Sequence, residues 1–146
     1  MELLAELDAP CSPEHLFGWL DDLDRYPEWL GIIRRTRRDD QVDHDQPPAW
    51  TVDLEAQLGP LSRAKRLRME RTTCDHPRLV VFERRELDGR DHGGWVLRAE
   101  VAPTNLGSHL AVSLRYDGRL WGPAVAAVLN QEIERSRQRL LALVSS

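Results

Sequence analysis

Three sets of residues have the type and placement to do chemistry. Glu132 and Ser136 fall inside the apolar arc of a C-terminal segment patterned as a long helix. Tyr116 ends an alternating run, and Arg63, Lys65 and Arg71 share the parity of Leu67 and Met69 in another. Each is a polar group on a face otherwise set for burial. Glu132, if aimed inward, can hold a ligand hydroxyl or carry a proton; drawn outward it is a solvated carboxylate. Ser136 is expected to satisfy itself on a backbone carbonyl one turn back. Tyr116 can donate its hydroxyl to a ligand oxygen. An inward arginine can bind a carboxylate, a phosphate or a polarised carbonyl. Near a strand end these cations can instead reach the rim, or a bulge at Gly59-Pro60 can reset their parity.

The usual catalytic signatures do not occur. His15, His44, His76, His92 and His109 are scattered, and none has the spacing of a metal-binding pair. Cys11 and Cys74 sit in unrelated segments, so neither a disulfide nor a zinc site is expected. There is no G-x-S-x-G elbow, phosphate loop or dinucleotide fingerprint, and no cofactor is called for. With neither nucleophile nor metal, any catalysis would be general acid–base work on a bound carbonyl compound. Glu132 and Tyr116 are the candidate groups.

The elements that must position these groups follow from hydrophobic period. Leu3, Ala5 and Leu7 alternate with acids as a half-buried strand. Ser12-Pro13-Glu14 is a helix start, and Leu16, Phe17, Leu20 and Leu23 continue at helical spacing until acids near Asp21 to Asp24 oppose the dipole. A second short helix is predicted over Tyr26 to Leu30, ended by Gly31. Ile32 to Asp40 can form a strand, and Gln41 to Pro48 has turn chemistry throughout. From Trp50 to Tyr116 the period is two, giving strands over Trp50 to Leu58, Leu61 to Thr73, Leu79 to Leu87, Trp95 to Val101 and Leu110 to Tyr116. His109 has outward parity, and Pro103 to Gly107 reads as a loop. Trp121 to Val144 is the closing amphipathic helix, with Pro123 in its first turn.

Composition narrows the class. A chain of 146 residues suits one domain with a substantial core. A net charge of −4 argues against a nucleic-acid partner, and the basic clusters Arg34 to Arg38 and Arg63 to Arg68 are followed by acids, as solvated strand faces are. Lys65 is the only lysine. No apolar run approaches the roughly 20 residues of a membrane span, so stable membrane insertion is not expected. The first residues lack the pattern of a signal peptide. A cytoplasmic location is the expectation, and a homodimer is left open.

The segment Ala9 to Leu30, A-P-C-S-P-E-H-L-F-G-W-L-D-D-L-D-R-Y-P-E-W-L, resembles the N-terminal signature of the START-like superfamily. It resembles in particular the polyketide cyclases/dehydrases and lipid-transport proteins, a group that includes coenzyme-Q-binding proteins. The matching positions are Ala9-Pro10, Pro13-Glu14, Asp22 or Asp24, and Tyr26-Pro27-Glu28-Trp29. Asp75-His76-Pro77-Arg78 resembles that group's Asp-Pro-Pro-Arg turn, with His76 replacing a proline. The resemblance implies an α+β helix-grip fold: a curved, mostly antiparallel sheet around a long C-terminal helix, with two short N-terminal helices. The signature residues mainly build the fold, so no catalytic residue transfers with it. Pro10, Pro27 and Trp29 are expected to be structural, although Tyr26 and Trp29 could line a pocket mouth.

If the helix covers the concave face, alternation gives the lining. It comprises Trp50, Val52, Leu54, Ala56, Leu67, Met69, Trp95, Leu97, Val112, Leu114 and Tyr116, with Val125, Leu129, Glu132 and Ile133 above. These side chains could simply fill a core. The mixture of aromatics with small or flexible residues, and a curved sheet that cannot press flat on one helix, favour a cavity of roughly 300 to 1,000 Å³. The leading expectation is a binding module for one apolar or amphipathic molecule, such as a lipid, quinone or polyketide-derived ring. The second is a cyclase/dehydrase-type enzyme. The third, by analogy to related ribosome-associated toxins, is an interaction protein using a strand edge. Fold alone cannot choose among them.

Overall fold

Why the chain curls into a single sheet follows from its turns and its alternation. A computed structural model describes residues 2–40, 45–58, 60–117 and 123–145, with side chains 58, 61, 63 and 123–129 outside the described set. The expected loop around His44 and the first residues of the predicted last helix, Trp121 and Gly122, fall largely or wholly outside these residues. The strands are β1 (Glu2–Ala9), β2 (Ile33–Arg38), β3 (Ala49–Leu58), β4 (Leu61–Asp75), β5 (Leu79–Arg84), β6 (Trp95–Thr104) and β7 (Gly107–Tyr116). They form one antiparallel sheet in the order β1-β7-β6-β5-β4-β3-β2, a meander whose first strand returns to the far edge. The helix α1 spans Pro13–Phe17, a 3₁₀ helix spans Leu23–Glu28, and α2 spans Pro123–Val144.

The N-terminal helices are shorter and tighter than their period predicts. Ser12 caps α1 by accepting from the His15 amide at 3.2 Å, and Pro13 occupies the first turn. The α-helix ends at Phe17, yet Leu20 and Leu23 are buried all the same. Asp22 accepts from the Asp24 amide at 2.9 Å and so starts a new helix three residues before the predicted one. Pro27 lies inside it and cannot donate an amide hydrogen bond, which limits it to a short 3₁₀ segment.

Gly59, where a parity-resetting bulge is the alternative to a rim position, lies outside the described residues. β3 and β4 stay in continuous register from Ala49 opposite Glu70 to Leu58 opposite Leu61. Register shifts fall between Arg71 and Thr73, where β4 meets β5, and between Ile33 and Arg35 on β2. At the other end, Pro103 and Thr104 belong to β6, and the expected loop contracts to Asn105-Leu106. Gly107 has φ +144°, and a Cβ there would collide with the Ala9 carbonyl oxygen and the Cys11 amide nitrogen. The tight turn therefore requires glycine at this position.

The concave face holds the core, with Trp50, Val52, Val80, Phe82, Leu67 and Met69 all buried. The long helix makes its main backbone contacts with the sheet at β3 and β1, on its two flanks. The α1 segment contacts β6 and β7, and the 3₁₀ helix contacts β2.

Candidate functional site

The two ends of the interior are built differently. At one end, Tyr26 is 0% exposed and donates its hydroxyl to the Leu20 carbonyl at 2.8 Å. Its ring lies 4.8 Å from Trp29 and 5.9 Å, edge-on, from Phe82. Burial, and then the nearby Asp21 charge, push the Tyr26 phenol far up, so it stays neutral. Trp29 donates its indole N–H to the Trp19 carbonyl at 3.2 Å, and Arg71 donates to the Asp21 carbonyl at 2.9 Å. Tyr26 thus sits wholly within packed protein, with its polar atom satisfied.

At the other end, a cavity of about 60 Å³ opens between β1, β7 and α2. Its walls are Ala5 and Leu7 from β1, Leu110 and Val112 from β7, Trp29 and Leu30, and Ile133, Ser136 and Leu140 from α2. Glu6 and Arg137 complete the lining. Of the predicted lining residues, Trp29, Val112 and Ile133 meet here. Ala5, Leu7, Leu110 and Leu140 were not predicted to line a site, although β1's alternation and α2's apolar arc carried the signal. This opening is smaller than the expected volume.

Ser136 places a buried hydroxyl in this cavity's wall. The residue is 2% exposed and, among the described residues, its Oγ has no hydrogen-bond partner, contrary to the expected bond to a carbonyl one turn back. A buried hydroxyl left in this way costs about 1–3 kcal/mol unless something supplies a partner. Arg137 pairs with Glu134 at 2.8 Å through one terminal nitrogen while its Nε is buried without a partner. Glu132 is not in the cavity wall. Its carboxylate packs over Gly31, where any Cβ would collide with it, and lies 3.7 Å from Arg135 and 3.9 Å from Arg139.

The sheet floor is as alternation predicts: Trp50, Val52, Leu54, Ala56, Leu67, Met69, Trp95, Leu97 and Tyr116 are buried, and Val112 and Leu114 partly so. Val125 and Leu129 lie among side chains outside the described set. Tyr116 stacks on Trp95 with ring centroids 5.1 Å apart, and burial pushes its phenol up. Trp50 packs edge-on against Phe82 at 5.6 Å and under the Arg38 guanidinium at 5.5 Å. Phe82, which the lining prediction missed, follows from β5's own alternation.

Cations share this inner face. Lys65 stands opposite Leu54 and Arg84 opposite Met69, while the side chain of Arg63 lies outside the described set. Arg84 has a side chain 8% exposed and bonds Glu86 at 3.0 Å and the Gly93 carbonyl at 3.2 Å. The Lys65 ammonium is held below its usual range first by burial and then by the Arg84 charge, with Glu86 acting in the opposite sense. Two of the described histidines lie on the outside. His109 points outward to Asp8 at 2.7 Å and Glu6 at 3.5 Å, and His92 pairs with Asp88 at 2.8 Å.

A curled seven-stranded antiparallel sheet gripping a C-terminal helix, with short helices at one end, defines a START-like helix-grip protein. The family described as polyketide cyclase/dehydrase and lipid transport matches residues 5–145, and the chain belongs to it. Solved structures agree in fold. A START superfamily protein from Mycobacterium smegmatis has TM-score 0.69 and 17% identity over 99% of this chain and 96% of that one. The Zhui aromatase/cyclase from Streptomyces sp. R1128 has TM-score 0.70 and 8% identity over 99% and 93%. Protein CV1439 from Chromobacterium violaceum has TM-score 0.69 and 16% identity over 99% and 97%. No curated protein matches the chain in sequence. Among the described residues, no helix is long and apolar enough to cross a membrane.

Proposed function

We propose that this chain is a single ligand-binding domain that shelters one apolar or amphipathic small molecule between the concave sheet and α2. The observation that carries the reading is the apolar opening beside α2 with the buried, unpartnered Ser136 hydroxyl in its wall. At about 60 Å³ the opening holds only a few waters, so a larger ligand must lift α2 from the flanks it rests on. Family membership supports a small-molecule ligand. Trp29, Val112 and Ile133 would touch it directly, and the Trp95–Tyr116 stack would form the floor. The two free thiols, Cys11 and Cys74, suit a reducing compartment such as the cytoplasm.

A second reading, a cyclase/dehydrase-type enzyme, is favoured by one specific feature. Tyr116 is buried beside Trp95 on the inner face, where a phenol can donate to a ligand carbonyl. Glu132, paired with Arg135 and Arg139, is the weaker candidate for proton transfer. Native mass spectrometry of the purified protein, followed by solvent extraction, tests the binding reading. A retained apolar molecule released unchanged supports the carrier. A protein that neither retains such a molecule nor takes up added quinone or fatty acyl probes refutes it. For the enzyme, Tyr116→Phe should remove turnover of a polyketide-type ketone while leaving its binding within about threefold.

A further inference from the structure

Two successive residues of α2, Ser136 and Arg137, line the same opening. Each brings a buried polar atom that has no hydrogen-bond partner among the described residues: the Ser136 hydroxyl and the Arg137 Nε. Ser136 is 2% exposed, so bulk water does not take the missing place. Arg137 reaches past the opening to Glu134, which one terminal nitrogen meets at 2.8 Å. Its charge is therefore compensated while its inner N–H is left over. Glu6, the acid of this wall, has a side chain 72% exposed and lies 3.5 Å from His109 on the outer face. The remaining wall, with Leu7, Leu110, Val112, Ile133 and Leu140, is apolar.

We propose that Ser136 and Arg137 form a donor pair that selects the ligand of this opening: an apolar molecule bearing an uncharged acceptor oxygen, of the ketone or ester kind. The assignment rests on the ligand-binding reading above and names the class of its ligand. The Arg137 Nε–H can only donate, and the Ser136 hydroxyl can donate as well. A carbonyl oxygen has two lone pairs and can accept from both. A hydrocarbon would leave the two donors unpaired behind a dry surface, which is the costly arrangement. A carboxylate would also accept, but it carries a full charge into an apolar wall whose arginine Glu134 already neutralises. An uncharged carbonyl satisfies the donors and adds no charge.

The test uses 1-tetralone, tetralin and 1-naphthoate, three bicyclic probes of similar size, titrated into the full chain and followed by amide NMR shifts. Any cost of lifting α2 is common to the three and drops out of the comparison. Water holds the ketone more strongly than the hydrocarbon, so a wall without donors would bind tetralin about tenfold tighter. With the donor pair, 1-tetralone should bind at least as tightly as tetralin, and 1-naphthoate should bind weakest. Ser136→Ala should weaken 1-tetralone about tenfold and leave tetralin within about twofold. Arg137→Lys keeps a charge beside Glu134 without the Nε–H, and should weaken the ketone about threefold. Tetralin bound about tenfold tighter by wild type would overturn the donor pair while leaving an apolar site. So would a ketone affinity unchanged in either variant. Tighter binding of 1-naphthoate than of 1-tetralone would overturn the uncharged class. If none of the three binds, the donor pair falls, whereas the ligand-binding reading falls only if the quinone and fatty acyl probes fail as well.

Discussion

Trp29 divides two regions of opposite character. On one side lie Leu16, Phe17, Leu20, Leu23, Tyr26 and Phe82, fully or almost fully buried, with the Tyr26 hydroxyl, the Trp29 indole and the Arg71 guanidinium each bonded to a backbone carbonyl. On the other side lies the opening under α2, where the Ser136 hydroxyl is as deeply buried and has no partner. Close packing and satisfied polar atoms mark the first region as scaffold. The second departs from both rules at the same place. Packed, satisfied interior lies where the signature segment meets the sheet, and the opening with its unpartnered hydroxyl lies where the closing helix meets it.

Truncations in the scaffold should produce the largest effects. Phe82→Ala removes a ring that touches Tyr26 and Trp50, and should cost about 3–5 kcal/mol by urea unfolding. A loss under about 1 kcal/mol would mean that this end is not close-packed. A matched pair of hydroxyl deletions sharpens the contrast. Tyr26→Phe strands the Leu20 carbonyl and should cost about 1 kcal/mol or more, whereas Ser136→Ala should be within about 0.5 kcal/mol of wild type, or slightly stabilising, because no bond is lost. Equal costs for the two would show that Ser136 has a partner after all.

The smallest effect concerns the outer face of the β1–β7 pair, beside the cavity. His109 has its imidazole pKa raised above the usual 6.5, first by its hydrogen bond to Asp8 and then by Glu6. The folded state therefore binds the proton more tightly than the unfolded chain. Its contribution is complete below the unfolded value and lost as pH rises through the raised one. Amide exchange in β1 should accelerate across that window in wild type, more at low salt than at high. The acceleration should be absent in His109→Gln, and an identical pH profile in both proteins would remove the ion pair from the account.

Much of the fold is legible along the chain because alternation is a local property. The inward set from Trp50 to Met69 and from Trp95 to Tyr116 needed only the period of a strand and a continuous register, which β3 and β4 keep. The helix ends were less legible. Acids near Asp21 to Asp24 marked where α1 should stop, but nothing local showed that it would end at Phe17 with Asp22 capping a new 3₁₀ turn. The register shift at Arg71 was illegible for a similar reason, because it depends on how β4 meets β5 and not on the residues beside it in the chain.

The site shows the same boundary between local and non-local causes. Sequence alone determined the face on which Ser136, Lys65, Tyr116 and Trp29 lie, because face is set by backbone period and neighbouring side chains. It also determined the family, because Ala9 to Leu30 encodes a particular chain path. Only the tertiary structure decided that Ser136 lacks a partner, that Glu132 is held over Gly31 between Arg135 and Arg139, and that Glu86 is already taken by Arg84. Whether a buried polar atom is satisfied depends on which distant segments reach it. In this fold those segments come from β1, β7 and α2, far apart in the chain and joined only when the sheet curls around its helix.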